Sequence, residues 1–265
     1  MNGVDVMFAA SGDKQYHIGL TKEQVGGYVI MPGDPGRVPK IAAYLDKAEF
    51  MAQNREYTTY TGYLSGEKVS VTSTGIGGPS AAIAIEELVK CGAHTFIRVG
   101  TSGGMKLDVV GGDLVIATAA IRGDGTSHEY LTPDYPAVAD FTVVDALRGA
   151  AVKNGLRHHI GVVQTKDSFY GETDPDSMPI ADYLNGRWAA YLKAGCLASE
   201  MEAAALFAVG LTRNVRVGCV LTAIWNVERA HAGLDNPEFH DSSRAITCAV
   251  EAIKSLIGDG GSEKR

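Results

Sequence analysis

Apolar runs alternate with amphipathic stretches along most of this chain, and glycine- or proline-rich turns separate them. Tyr28-Val29-Ile30-Met31 is apolar throughout and is stopped by Pro32-Gly33-Asp34-Pro35, which predicts a short buried strand. After it, Val38, Ile41, Ala42 and Leu45 share one helical face, with Pro39 tolerable in a first turn. The same reading predicts strands over 69–74, 95–99, 113–119, 160–164 and 215–224. It predicts helices over about 80–90, 144–153 and 203–211, and a last one starting at Asp241 or Ser242 and running to about 257. Gly92 is placed to cap the helix before it. Residues 1–15 are expected to be loose or packed on a neighbour, and 258–265 to fray. Near-continuous apolar strands between helices imply an α/β fold with a sheet covered on both faces. No linker or repeat divides the chain, so one domain over 1–265 is expected. In such folds ligands gather at the carboxyl ends of strands.

Three strand ends carry polar chemistry. Gly33 to Arg37 pairs a glycine turn with a planar, always-charged guanidinium, which suits an oxyanion or a plain surface turn. Arg98-Val99-Gly100-Thr101 follows the apolar Thr95-Phe96-Ile97. A guanidinium buried there needs an anionic partner, either an internal carboxylate or a phosphate held with the Thr101 hydroxyl. Glu200-Met201-Glu202 sets two carboxylates two residues apart, which share a face in extended backbone. Glu202 suits the vicinal hydroxyls of a ribose, with Met201 as an apolar floor. The alternative is a helix N-terminus whose acids complement its dipole.

The formal net charge of −7 argues against sequence-independent nucleic-acid binding. The four cysteines, widely spaced with no CxxC pair, read as buried thiols in a reducing cytosol. No stretch has the length of a membrane span and no signal peptide is evident, so a soluble cytoplasmic protein is expected. Gly75-Ile76-Gly77-Gly78-Pro79-Ser80 departs from the dinucleotide fingerprint at its third glycine. A nucleophile elbow is absent, and His158-His159 reads as surface without an acidic partner.

The ordered set of motifs resembles the uridine phosphorylases of the nucleoside phosphorylase superfamily over nearly the whole chain. It comprises Tyr16-His17-Ile18-Gly19-Leu20, the turn ending at Arg37, Arg55-Glu56-Tyr57-Thr58, Ser73 to Ser80, Ile97 to Thr101 and Ser199 to Glu202. The resemblance implies a three-layer α/β/α sandwich with a mixed, partly barrel-like sheet, assembled as dimers or as hexamers of dimers. It implies reversible phosphorolysis of a nucleoside, with inorganic phosphate as co-substrate and no organic cofactor. By the same resemblance Gly33, Arg37, Arg98 and Thr101 hold phosphate, and Arg55 completes that site from a neighbouring subunit. His17 crosses the dimer interface to the ribose 5′-hydroxyl, Met201 and Glu202 hold the ribose, and Phe169 packs on sugar and base. Glu56, Ile76 and Ser80 match positions that bind a monovalent cation such as K+ in some relatives.

The loop after Phe169-Tyr170 departs from the family. Glu172 stands where a uracil-reading glutamine is expected, and no arginine follows until Arg187. An ionised carboxylate can only accept hydrogen bonds. Either another donor such as Arg229 turns inward and preserves uridine, or Glu172 with Asn226 reads a 6-oxopurine, as in guanosine or inosine. Uridine is the favoured expectation. A nucleoside hydrolase and a non-catalytic nucleoside-binding module are the other classes.

Overall fold

The structure, a computed structural model, describes residues 14–260. The expectations for 1–13 and 261–265 lie outside the described residues. Ten strands join one sheet. In chain order they are β1 (Tyr28–Pro32), β2 (Asp46–Asn54), β3 (Tyr57–Leu64), β4 (Glu67–Thr72), β5 (Thr95–Gly104), β6 (Leu114–Gly123), β7 (Ala137–Val138), β8 (His158–Lys166), β9 (Ala198–Glu200) and β10 (Arg216–Asn226). The helices are α1 (Val38–Ala42), α2 (Gly78–Lys90), α3 (Thr126–Tyr130), α4 (Phe141–Lys153), α5 (Tyr170–Thr173), α6 (Ala181–Lys193), α7 (Ala203–Arg213), α8 (Val227–His231) and α9 (Ser243–Gly260).

The sheet is mixed and partly closed. β5 pairs parallel with β10 and antiparallel with β9. β9 continues to β8, β8 to β6, and β6 returns to β10, which completes a five-stranded ring. β1, β4, β3 and β2 extend from β5 as an open arm. This ring is the barrel-like part the family resemblance implies. Two cores sandwich the sheet. One packs Ile85 and Leu88 of α2 and Leu206 and Phe207 of α7 against it; the other packs Ile41 of α1, Leu147 of α4 and Ile253 of α9. Burying apolar side chains on both faces is what makes the strands read as unbroken apolar runs.

Two differences from the sequence reading matter. β5 does not stop at Val99 but runs through the glycines to Gly104. A Cβ on Gly100 would come 2.8 Å from Arg98 Nη2 and 2.7 Å from Leu221. The glycine therefore lets the arginine fold back over its own strand, rather than making a loop. His159, expected at the surface without an acid, places Nε2 2.9 Å from Asp113 Oδ2.

Candidate active site

β1 and β5 run side by side with Met31 opposite Arg98, so the turn after β1 meets the carboxyl half of β5. In that turn Asp34 accepts from the Gly36 amide at 2.8 Å and shapes the chain for Arg37. A Cβ on Gly33 would lie 4.0 Å from Arg98 Nη1, so the glycine leaves open the space in front of the guanidinium. Arg37 is half-buried. Burial pulls its pKa down and the charge of Arg98 adds to this, while Asp34 and Glu202 oppose. The two cations thus lie within electrostatic reach of one another.

Arg98 is 4% exposed. Its Nε donates to Glu200 Oε2 at 3.0 Å and its Nη2 pairs with Glu202 Oε2. Burial works against its charge, but Glu202 and Glu200 outweigh this and hold the guanidinium above its ordinary range. Nη1 is buried with no hydrogen-bond partner. A buried guanidinium hydrogen left unpaired is costly, so this nitrogen marks a place for a ligand oxygen.

The two glutamates divide the roles weighed in the sequence. Glu200 accepts from the amides of Glu202 at 2.8 Å and Ala203 at 2.9 Å, and from Thr165 Oγ1, so it caps α7 and anchors Arg98. The helix-terminus alternative holds for this one residue. Glu202, the residue before α7, accepts instead from the Gly77 amide at 2.7 Å. That amide is presented by a turn in which Gly75 and Gly77 take φ of +68° and +93°, conformations that favour glycine. Burial raises the Glu202 carboxyl pKa, Arg98 and the Gly77 amide pull it down, and Glu200 pushes it up. Met201 between them is partly exposed, and Phe169 is 54% exposed on the loop after β8. Thr101 lies three residues beyond Arg98 on β5, half-exposed.

Other expected site residues are placed differently. His17 sets Nδ1 2.6 Å from Glu87 Oε1 in its own chain, and Arg55 is exposed in the β2–β3 turn with φ of +53°. The partners of Arg98, Glu200 and Glu202 named above do not include either. Ser80 Oγ donates to Glu56 Oε1 at 2.6 Å, and Ile76 beside them is 78% exposed. Arg229 donates to the backbone oxygens of Asp235 and Leu107, at 2.7 and 2.6 Å. Asn226 is fully buried. Its amide nitrogen donates to the Lys106 and Val109 carbonyls, and its oxygen accepts from the Glu228 and Arg229 amides. No donor or acceptor remains on it for a base. Asn226→Ala is therefore expected to cost about 2–4 kcal/mol of stability, measured by urea unfolding. The variant that folds should keep the substrate preference of the parent.

One residue went unnoticed in the sequence. Lys166, the last residue of β8, is buried, and its Nζ lies 2.6 Å from both Glu172 Oε1 and Ser199 Oγ. The signal was the one that flagged Arg98, a cation at the end of a buried strand.

Two guanidiniums beside a buried carboxylate suit an enzyme that handles an anion together with hydroxyl groups. The comparisons with known proteins agree. The sequence model described as the phosphorylase superfamily matches residues 28–256. A uridine phosphorylase of Treponema pallidum (strain Nichols) is 54% identical over 247 residues, 93% of this chain and 96% of that protein. A uridine phosphorylase of Thermococcus kodakarensis is 46% identical, over 91% of this chain and 86% of its own. A guanosine phosphorylase of Halorubrum lacusprofundi is 41% identical, over 92% and 99%. The chain belongs to the phosphorylase superfamily.

Proposed function

We propose that the protein catalyses the reversible phosphorolysis of uridine to uracil and ribose 1-phosphate, as a pentosyltransferase built from one domain. The observation that carries this is a buried arginine, Arg98, that ties Glu202 to an unfilled donor beside Gly33, within electrostatic reach of Arg37. Phosphate takes the place between the two guanidiniums, with Thr101 beside it and Arg55 arriving from a second subunit. Glu202 and Met201 hold the ribose so that a phosphate oxygen meets C1′ in line as the bond to the base loosens. His17 reaches the 5′-hydroxyl of the partner's ribose, and Phe169 covers sugar and base. Fixed guanidiniums aimed at the phosphate supply rate through position and charge rather than through a covalent intermediate.

The homodimer is accordingly the smallest complete unit. Glu56 and Ser80 offer an oxygen pair that suits a monovalent cation at the subunit boundary, with Ile76 beside it. Asn226 and Arg229 support the loop behind the base. Among the described residues no helix is long and apolar enough to cross a membrane. Four buried free thiols fit a reducing cytoplasm.

A second reading, a 6-oxopurine nucleoside as substrate, is favoured by Glu172 and by the Halorubrum relative named for guanosine. The test is release of base from uridine, inosine and guanosine, with and without phosphate. Release of uracil that requires phosphate supports the proposal. Faster release of hypoxanthine or guanine would move the base assignment, and release undiminished without phosphate would make the enzyme a hydrolase.

The pH profile adds a prediction. A carboxyl with a raised pKa stays protonated to a higher pH than usual, and Glu202 must be ionised to hold Arg98 and accept from two hydroxyls. kcat/KM for the nucleoside should therefore fall with acid at a pH above the ordinary glutamate value of 4.5. The same shift makes the contribution of Glu202 to stability greatest in acid, and that contribution is lost as pH rises through the raised value.

A further inference from the structure

Glu87, in the last turn of α2, is a buried carboxylate, 7% exposed. Burying such a group is costly unless donors surround it. Its donors come from one short segment far away in the chain. The His17 amide reaches Oε1 and Oε2 at 3.1 and 3.0 Å, the Ile18 amide reaches Oε2 at 2.8 Å, and His17 Nδ1 lies 2.6 Å from Oε1. Both oxygens thus take backbone N–H groups, so the imidazole is the donor in its own contact. A neutral imidazole that donates through Nδ1 keeps Nε2 as an acceptor. The Tyr16 ring meets the imidazole edge-on, with centroids 4.8 Å apart, and so helps to hold its orientation. The His17 side chain is still 28% exposed, and among the described residues no hydrogen bond engages Nε2.

The same segment is tied to the β2–β3 turn. Asn54 Nδ2 donates to the His17 carbonyl at 2.7 Å, one residue before Arg55. Two turns before Glu87 on the same helix, Ser80 holds Glu56. Positions two turns apart share a helix face. One face of α2 therefore braces both segments that our reading sends to a second subunit.

We propose that Glu87 is a positioning residue for His17. Its carboxylate fixes the tautomer that leaves Nε2 bare, so that His17 accepts a hydrogen bond from the ribose 5′-hydroxyl instead of donating one. This rests on the reading above in which His17 meets that hydroxyl. Glutamine at this position would reverse the polarity. Its amide oxygen can keep the backbone N–H groups, but its NH2 then meets Nδ1 as a donor. The imidazole proton moves to Nε2, and the nitrogen that accepted now donates.

The test compares kcat/KM at saturating phosphate for two substrates. In 5′-amino-5′-deoxyuridine the 5′-ammonium can only donate, and in 5′-deoxyuridine the group is missing. Glu87→Gln is expected to lose about tenfold on the first and to leave the second nearly unchanged. In a His17→Ala background the same substitution should add no further loss on either, because the effect of Glu87 passes through the imidazole. Equal losses on the two substrates, as a merely structural role would give, overturn the proposal. So does a loss on the amino substrate that persists without His17, which would show only the field of the carboxylate. Nitrogen NMR of the wild type at neutral pH reads the tautomer directly and needs no variant of Glu87 to fold, the His17→Ala spectrum identifying the signal. Protonated Nδ1 with bare Nε2 is expected, and the reverse overturns the proposal. A His17→Ala enzyme with wild-type turnover of both substrates would instead place the fault in the reading of the sugar site, and the proposal would fall with it whatever the tautomer.

Discussion

Replacing Arg98 with lysine is expected to lower kcat/KM for phosphate by about 100- to 1,000-fold, the usual effect of losing one preorganised donor to a developing anion. The charge is kept, so the loss isolates the shape of the guanidinium. Arg98 addresses three directions at once: Nε to Glu200, Nη2 to Glu202, and Nη1 to the open space before Gly33. A lysine ammonium is a point donor on a flexible stem and cannot span that fork. One of the two buried glutamates then loses its partner, and breaking a buried pair costs about 3 kcal/mol or more. The variant should therefore unfold at lower urea as well as turn over slowly. Steady-state kinetics against phosphate and an unfolding curve check both halves. A variant with an unchanged KM for phosphate would remove Arg98 from the anion site.

Glu202→Gln should give the opposite split. The amide keeps the shape, but with its oxygen on the Gly77 amide its NH2 meets Arg98 Nη2 donor to donor, so some stability should be lost as well. The loss of charge weakens the grip on the sugar hydroxyls. kcat/KM for the nucleoside is expected to drop about 100-fold, a few kcal/mol of charge-assisted hydrogen bonding. Phosphate should bind this variant more tightly, because a carboxylate competing for Arg98 is gone and the two guanidiniums face the anion with less opposition. The acid limb that Glu202 imposes on the pH profile should vanish too. Calorimetry with phosphate and a nucleoside rate profile decide the matter. Weaker phosphate binding would contradict the arrangement, as would a nucleoside rate close to wild type.

How much of this was legible before the structure depended on burial. β1 and β10 announced themselves as nearly continuous buried apolar runs. The β2–β3 hairpin did not, since β2 has no fully buried residue and so no periodicity to read. α6 escaped for the same reason: no residue along it is buried. Arg98 and Glu202 were visible as charges placed where charge is expensive. Glu200 was seen as a second carboxylate, but its duty as the cap of α7 depends on where the helix begins, which spacing does not settle. Asn226 looked available for a ligand because a buried asparagine gives no sign in the sequence of the four backbone groups it serves. Lys166 was missed although it obeys the rule that found Arg98. Its partner, Glu172, lies six residues away around a loop, and spacing alone does not pair the two.

The closed ring of strands has a consequence for synthesis. β5 emerges early, yet it lies between β1 and β10, and its partner in β10 is more than a hundred residues downstream. Pairings so distant along the chain form slowly. A nascent chain halted before Arg216 should therefore display the arginine-bearing strand with one edge bare, unable to turn over nucleoside and prone to associate through that edge. Completion of β10, rather than translation of Arg98, is the step that closes the ring.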